Sequence, residues 1–379
     1  MTVRVPVRMT VRVMFAGGGT GGHLYPGLAI ARALVQLAPE VEPFFVGAIR
    51  GIERDVLPKT EFQHLLLDLH PIYRQQPWRS WRTVRGFGSA WSALARENRA
   101  HPPATVIGTG GYASGAALAF ALAHGIPIQL QEQNSVPGIT TRFFARRARA
   151  VYLGYPEARA KLHPGARTQL FDSGNPIEPP PMPRPSREEA RVQWGFPASG
   201  GQVLLALGGS QGARPLNDAI ASLLDAGLLP GIFLIWATGN GWYEGYARYE
   251  SPHVRVRPYL APIQSAYAAA DLALTRAGAL TVAELCAWGI PSLLVPLPTA
   301  AADHQRANAR ALEAAGAAKM LEQQTLSARV LGDALAELLA APSNLASMAE
   351  SAASRGRPDA AERIARWILT IAQLKSVDT

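Results

Sequence analysis

The sequence lacks what several common chemistries require. Cys286 is the single cysteine in 379 residues, which excludes an internal disulfide framework and a cysteine-based zinc knuckle. Within a helical stretch it reads as a small buried apolar residue and not as a reactive thiol. No Gly-Lys-Ser or Gly-Lys-Thr occurs, so a Walker loop is excluded. No Asp-x-Asp pair is present to hold a divalent ion on a diphosphate, and neither a metal nor a cofactor is expected. No run reaches the ~18 apolar residues of a spanning helix. The nearest, Ala116 to Ala123, is bounded by Gly115 and by His124, Gly125 and Pro127 and reads as a core helix. The N-terminus lacks the apolar region of a signal peptide. These absences predict a cytoplasmic protein that lies on a membrane without crossing it.

What is present is a large apolar fraction and an uneven charge. At 48% hydrophobic residues the chain can bury two sizeable cores. Met1 to Asn175 carries 20 Lys and Arg against 10 Asp and Glu, whereas Pro176 to Thr379 carries 17 against 18. The whole basic excess belongs to the first half, which predicts an anionic partner there. Between Tyr73 and Trp91, Arg74, Arg79, Arg82 and Arg85 interleave with Tyr73, Trp78, Trp81, Phe87 and Trp91, and Arg142 to Arg149 forms a second basic-aromatic cluster. The bland reading is an amphipathic helix with aromatics in the core. An interfacial patch on anionic lipid is favoured, because the two clusters share one half of the chain.

Residues 1–8 read as an extension. Val11 to Ala16 reads as a strand, followed by GGGTGGH and by a helix to about Ala38 with Pro26 in its first turn. Gly17, Gly19 and Gly22 satisfy G-x-G-x-x-G, but the second strand, Pro43 to Val46, ends in Gly47 and Ala48. A dinucleotide fold asks for an acid there, so a nicotinamide oxidoreductase is only a minor alternative. Leu65 to Leu69, Thr105 to Ile107, Ile128 to Leu130 and Thr168 to Phe171 read as further strands. The loops GTGGYASG and QEQNSVPG follow two of them. Glycine turns at the carboxyl edge of a parallel sheet can hold a diphosphate on backbone N–H groups, although such glycines commonly serve only turn and packing.

The prolines between Pro176 and Pro185 predict a stiff linker, after which the pattern restarts. Strands are expected at Val203 to Leu207, Ile232 to Ala237, Val254 to Val256 and Leu272 to Thr275, with GGSQGAR opening a helix from Pro215 to Ala226. The expected division is 1–175 as an N-terminal acceptor- and membrane-binding domain and 176–200 as a linker with a first helix. A nucleotide-sugar domain follows at 201–355, and a C-terminal helix over 356–379 packs back on the body through Ile364, Ile368, Ile371 and Leu374.

Leu274 to Asn308 is the most informative stretch. After the strand, Gly278 permits a turn, Thr281 reads as the cap of a helix to about Trp288, and Gly289 with Pro291 stops it. Ser292 to Val295 is then a buried strand. A helix start preceded by Gly and Ala suits a phosphate, and Glu284 one turn in suits a ribose diol. Asp303 and Gln305 offer polar atoms to a sugar. The same spacing also fits an ordinary βαβ unit.

GGGTGGHLYPGLAIA, GTGGYASG, QEQN, SGNP, GGSQGA, RAGALTVAEL and ADHQRANA occur in that order over Gly17 to Ala309. Together they resemble the MurG family of GT-B glycosyltransferases. The resemblance implies an α/β fold of two Rossmann-like domains whose parallel sheets face each other across a cleft. It implies transfer of N-acetylglucosamine from UDP-N-acetylglucosamine to lipid I, giving lipid II for the peptidoglycan cell wall, at the cytoplasmic side of the inner membrane as a peripheral protein. Other cell-wall synthesis proteins are expected partners, and nucleic acid is not. Carried over by position, Thr20, Gly21, Gly22, Asn134, Ser210, Leu260 through its backbone, Gln305 and the run Ala279, Leu280, Thr281, Val282, Ala283 and Glu284 hold the donor. Gly19, His23, Gly110, Gly111 and Tyr112 face the acceptor, with His23 as the leading catalytic base and Glu132 next. Two departures stand out. Glu178 occupies the place of an Arg that contacts the donor, so Arg276 and Arg214 are expected to compensate, and Thr299 stands where the family often has His. Another lipid-directed GT-B glycosyltransferase remains an alternative.

Overall fold

The computed structural model describes residues 10–69, 80–209, 211–229 and 231–372, with backbone alone for 80–85. It divides into two compact units, Met1–Ile177 with Asp359–Thr379, and Glu178–Pro358.

The first unit holds strands β1 (Val11–Gly17), β2 (Val41–Ala48), β3 (Gln63–Leu67), β4 (Thr105–Gly110), β5 (Ile128–Glu132), β6 (Ala150–Leu153) and β7 (Gln169–Asp172). Its helices are α1 (Gly21–Leu37), α2 (Glu53–Val56), α3 (Ser80–Ala100), α4 (Gly111–Ala123) and α5 (Ile139–Phe144), joined at the end of the chain by α14 (Ala360–Ile371). All pairings are parallel, in the order β3-β2-β1-β4-β5-β6-β7. Helices cover both faces, so β1 is buried at every position after Val11 and reads as a continuous apolar run, not an alternation. One face packs Met14, Val46, Val106 and Leu130 under α4; the other packs Phe15, Phe45 and Ile107 under α1 and α14. Ile364 and Ile368 are buried in that second core, and Trp367 stacks on Phe171 at 4.4 Å. Leu374 lies outside the described residues.

The second unit holds β8 (Gln202–Leu207), β9 (Ile232–Ala237), β10 (Val254–Arg257), β11 (Leu272–Thr275), β12 (Ser292–Leu294) and β13 (Ala318–Met320), ordered β10-β9-β8-β11-β12-β13 and all parallel. Its helices are α6 (Arg187–Gln193), α7 (Arg214–Asp225), α8 (Tyr243–Tyr246), α9 (Gln264–Ala269), α10 (Ala279–Trp288), α11 (His304–Ala314), α12 (Ala328–Leu339) and α13 (Pro342–Arg355).

Several local expectations change. Helix α1 starts at Gly21 behind an extended Thr20, so Pro26 sits in the second turn. There it removes the donor that the Gly22 carbonyl takes in a regular helix. Strands β6 and β13 were not expected; each is only three or four residues long and exists because a neighbouring strand pairs with it. The proline-rich stretch is not a free spacer. Glu178 begins the second unit, and a capping box of Ser186 and Glu189 starts α6. Arg187 and Arg191 both pair with Asp271, at 2.6 and 2.7 Å, and Arg184 donates to the Ala287 carbonyl at 2.9 Å. Asp271 also accepts the Val203 N–H, so this stretch is tied to the sheet of the second unit.

Candidate active site

In a parallel sheet the ligand crevice lies beyond the carboxyl ends of the strands where the winding reverses. The first unit reverses between β1 and β4, and both strands run into glycine turns. Gly18 N–H donates to the Gly110 carbonyl at 3.3 Å, which binds the two turns together. Closeness forbids side chains here: a Cβ on Gly111, whose φ is +78°, would lie 2.1 Å from the Gly18 carbonyl oxygen. Thr20, Gly21, Gly22 and His23 follow at the start of α1, where the Thr20 carbonyl accepts from His23 and Leu24. The His23 imidazole lies over this junction. A Cβ on Gly110 would meet its Cδ2 at 2.7 Å. Its Nδ1 is 3.2 Å from the Gly18 carbonyl and 3.2 Å from Thr20 Oγ1. A carbonyl only accepts, so Nδ1 carries the proton and the lone pair resides on Nε2, as a general base requires. The Tyr112 ring lies against Gly19.

Glu132 ends β5 and is buried, 3% exposed. Its Oε1 accepts the Asn134 N–H at 3.0 Å and its Oε2 the Gly138 N–H at 2.9 Å. Both oxygens hold the loop that presents Asn134. Behind it a buried amide network fixes the strand ends: Gln133 donates to the Thr109 carbonyl, and Asn175 donates to the Gln133 carbonyl.

The second unit reverses between β8 and β11, followed by the GGSQGA turn and by α10. Ser210 of that turn lies outside the described residues. Helix α10 begins at Ala279 with Gly278, not Thr281, as its N-cap, and its ladder opens with Val282 N–H to the Gly278 carbonyl. The N–H groups of Leu280 and Thr281 therefore point out of the helix start, where the dipole favours an anion. Gly289, at φ +71°, ends the helix in the left-handed region. Ala283 and Glu284 are half-buried and Val282 is in the core. One oxygen of Glu284 accepts the Tyr267 hydroxyl at 2.6 Å. Burial pushes the Glu284 carboxyl pKa up; the Tyr267 bond opposes this and the negative charge of Glu178 adds to it. Glu178 itself is exposed. Leu260 is buried beside this sheet.

Arg276 is 8% exposed, and its guanidinium points into its own unit. It donates to the carbonyls of Val295 and Pro296, at 3.0 and 3.2 Å, and to Gln323 Oε1 at 2.5 Å. These bonds hold the loop after β12. Gln305 Oε1 accepts the Leu297 N–H of that loop at 3.0 Å, which leaves its amide N–H groups to donate. Asn308 donates to the Ala277 carbonyl at 3.2 Å. The ADHQRANA motif thus braces the loops on both sides of α10. Arg214 is exposed, 3.5 Å from Asp218. Tyr267 and Gln323 escaped the sequence reading because nothing local marks them; their partners are 17 and 47 residues away.

Of the basic-aromatic segment, Tyr73, Arg74, Trp78 and Arg79 lie outside the described residues, as do the side chains of Trp81, Arg82 and Arg85. Trp91 packs edge-on against Phe120 at 5.1 Å, as in the bland reading, while Phe87 is exposed. On the second cluster Ile139 and Phe143 are 54% and 64% exposed beside exposed Arg142, Arg146, Arg147 and Arg149. No helix among the described residues is long and apolar enough to cross a membrane.

Residues 13–153 match the glycosyltransferase family 28 N-terminal domain and residues 203–364 its C-terminal domain. A relative from Moorella thermoacetica is 39% identical over 95% of this chain and 98% of its own. One from Chlorobaculum parvum is 40% identical over 96% and 100%. Both are named UDP-N-acetylglucosamine–N-acetylmuramyl-(pentapeptide) pyrophosphoryl-undecaprenol N-acetylglucosamine transferase. Among solved structures, Acinetobacter baumannii MurG superposes with a TM-score of 0.76 at 27% identity, over 95% of this chain and 99% of that one. The glycosyltransferase of kitacinnamycin, at 17% identity and a TM-score of 0.68, shares the fold. With both family 28 domains in place and full-length relatives of this kind, the chain belongs to the MurG family of GT-B glycosyltransferases.

Proposed function

We infer that the chain is an N-acetylglucosaminyltransferase that moves N-acetylglucosamine from UDP-N-acetylglucosamine to undecaprenyl-pyrophosphoryl-N-acetylmuramoyl-pentapeptide, converting lipid I to lipid II in peptidoglycan synthesis. The observation that carries this is identity of 34 to 40% with relatives that all bear this activity in their names. The alignments with them cover at least 93% of the chain. In this reading the diphosphate sits at the start of α10 on the Leu280 and Thr281 N–H groups, and the ribose diol donates to Glu284. Gln305 donates to the sugar, and by their position in the family motifs Thr20, Gly21, Gly22 and Asn134 are further donor residues. Gly19, Gly110, Gly111 and Tyr112 belong to the acceptor side.

The acceptor hydroxyl attacks the anomeric carbon, its proton passes to His23 Nε2, and the bond to the UDP oxygen breaks with inversion. Charge leaving on the diphosphate is stabilised by N–H groups already aimed at it, which requires no metal ion. The acceptor is a lipid, and the exposed Ile139 and Phe143 among four exposed arginines suit insertion at an anionic membrane surface. In this reading the protein lies peripherally on the cytoplasmic face of the inner membrane. The test is transfer from labelled UDP-N-acetylglucosamine to lipid I and to diacylglycerol by the purified protein. Labelled lipid II alone is expected; product on diacylglycerol alone sinks the reading. Thermal protection by NAD and not by UDP would restore the nicotinamide alternative.

A further inference from the structure

Strand β2 ends without an acid, yet the first glycine turn is held by one. Glu53, the first residue of α2, is fully buried. Its Oε1 accepts the Gly19 N–H at 2.8 Å and the Ala48 N–H at 3.3 Å, while Oε2 is enclosed with no hydrogen-bond partner among the described residues. Three glycines clear the space around it, one in the first glycine turn and two at the end of β2 and the start of its connection to α2. A Cβ on Gly18 would stand 1.4 Å from Oε1, one on Gly51 1.9 Å from Oε2, and one on Gly47 2.8 Å from the Glu53 Cβ. Enclosing a carboxylate is costly unless it accepts hydrogen bonds, so a chain that clears three backbone positions for one is using its charge locally.

The geometry at Gly18 and Gly19 shows where. Gly19 N–H and the Gly18 carbonyl are the two ends of one peptide group. Glu53 accepts from the N–H end, and the His23 Nδ1–H donates to the carbonyl end at 3.2 Å. We propose that Glu53 is a positioning residue for transfer, acting through the Gly18–Gly19 peptide to orient His23 and hold its proton on Nδ1. A carboxylate on the N–H end polarises the peptide and makes its carbonyl a stronger acceptor, in the way that linked hydrogen bonds strengthen one another. The imidazolium formed when Nε2 takes the acceptor proton is thereby stabilised, as it is by a carboxylate bonded directly to a histidine. The other titratable groups nearby are Tyr112 on α4 against Gly19, Tyr25 on α1 against Gly21, and Glu132, whose oxygens are occupied by Asn134 and Gly138.

This inference rests on His23 as the base, and the two separate experimentally. The full-length protein and Glu53→Gln are compared by NMR titration of the His23 imidazole without substrate, and by the pH dependence of kcat/KM with lipid I. Glu53→Gln is expected to move the His23 titration to lower pH and to lower kcat by about 10- to 100-fold, the range seen when carboxylates behind metal-bound histidines are removed. The KM for UDP-N-acetylglucosamine stays unchanged. An unmoved His23 titration overturns the inference, whatever happens to turnover. A moved titration with an unmoved kcat/KM profile supports the Glu53 contact and removes His23 from the role of base. A fall in melting temperature with neither profile moved reduces Glu53 to a structural residue and also overturns the proposal. If Glu53→Gln does not fold, Glu53→Asp retains the charge and retracts it from Gly19, and the same shift of smaller size is expected.

Discussion

A carboxylate accepts from both hydroxyls of a diol best when ionised, and Glu284, proposed for that role, is held where ionisation is disfavoured. Burial raises its pKa, the Tyr267 hydroxyl lowers it less, and Glu178 raises it further. Donor affinity is therefore expected to fall as the pH drops through this raised pKa, earlier than for an ordinary carboxylate. Calorimetry of UDP binding across the acidic range reads this directly. Glu284→Gln should weaken UDP by about 1.5 to 3 kcal/mol, roughly 10- to 150-fold, and flatten the pH profile. Glu178→Gln should move the midpoint to lower pH, because it removes one repelling charge; an unmoved midpoint would show that Glu178 has no bearing on the donor site. Folding responds with the opposite sign. The folded carboxyl binds more protons than the unfolded one, so its contribution to stability declines as pH rises from the usual carboxylate range through the raised pKa. At the first glycine turn, His23→Ala should cost ~10²- to 10⁴-fold in kcat if Nε2 takes the acceptor proton. Near-normal turnover would remove it from that role. Arg276→Lys retains the charge and loses the forked geometry that reaches Val295, Pro296 and Gln323 together. It is expected to weaken donor binding through the loop after β12, visible as a higher donor KM with the acceptor KM unchanged.

Two short helices act through their ends and faces. At α10 the useful groups are backbone N–H donors, whose strength does not depend on a bound ion. Turnover is expected to be unchanged in EDTA, and loss restored by magnesium or manganese would count against the reading. At α5 the proposed membrane contact is an exposed face. Phe143 and Ile139 remain in water although the adjacent Phe144 is buried, which is the pattern of a surface that meets something apolar. Arg146→Ser with Arg147→Ser should reduce binding to anionic vesicles by about 2 kcal/mol, or about 30-fold, and lower its salt dependence. Turnover of a water-soluble acceptor should not change. Vesicle binding equal to that of the unaltered protein would move the membrane contact to the Tyr73 to Arg85 segment.

For the molecule as a whole, the unit that begins the chain is completed by its end. Ile368 is fully buried against the core of α1 and β1, and Trp367 stacks on Phe171 and Tyr152. Ile368→Ala should cost about 2 to 5 kcal/mol. The loss should fall on the first unit. Hydrogen exchange is expected to speed up at amides of β1, β2 and β4 while those of β8, β9 and β11 hold. Equal acceleration in both units would contradict this expectation.

Periodicity and glycine spacing alone determined much of this molecule. The strands from Val11, Val203, Ile232 and Leu272 and the end of α10 at Gly289 follow from local rules, whereas the start of that helix lies three residues before the expected cap, at Gly278 and not at Thr281. They were legible because a buried parallel strand is a continuous apolar run and a helix stop needs a residue tolerant of positive φ. Tertiary structure decided what distant residues do to one another. It formed β6 and β13 by pairing, bound α6, just after the proline-rich stretch, to Asp271, and turned Arg276 onto carbonyls that a sequence does not place beside it. It also brought Glu53 beneath Gly19, 34 residues away, with three glycines cleared around it. A glycine in a sequence records only that a side chain is absent; which group occupies the cleared space is set by the fold.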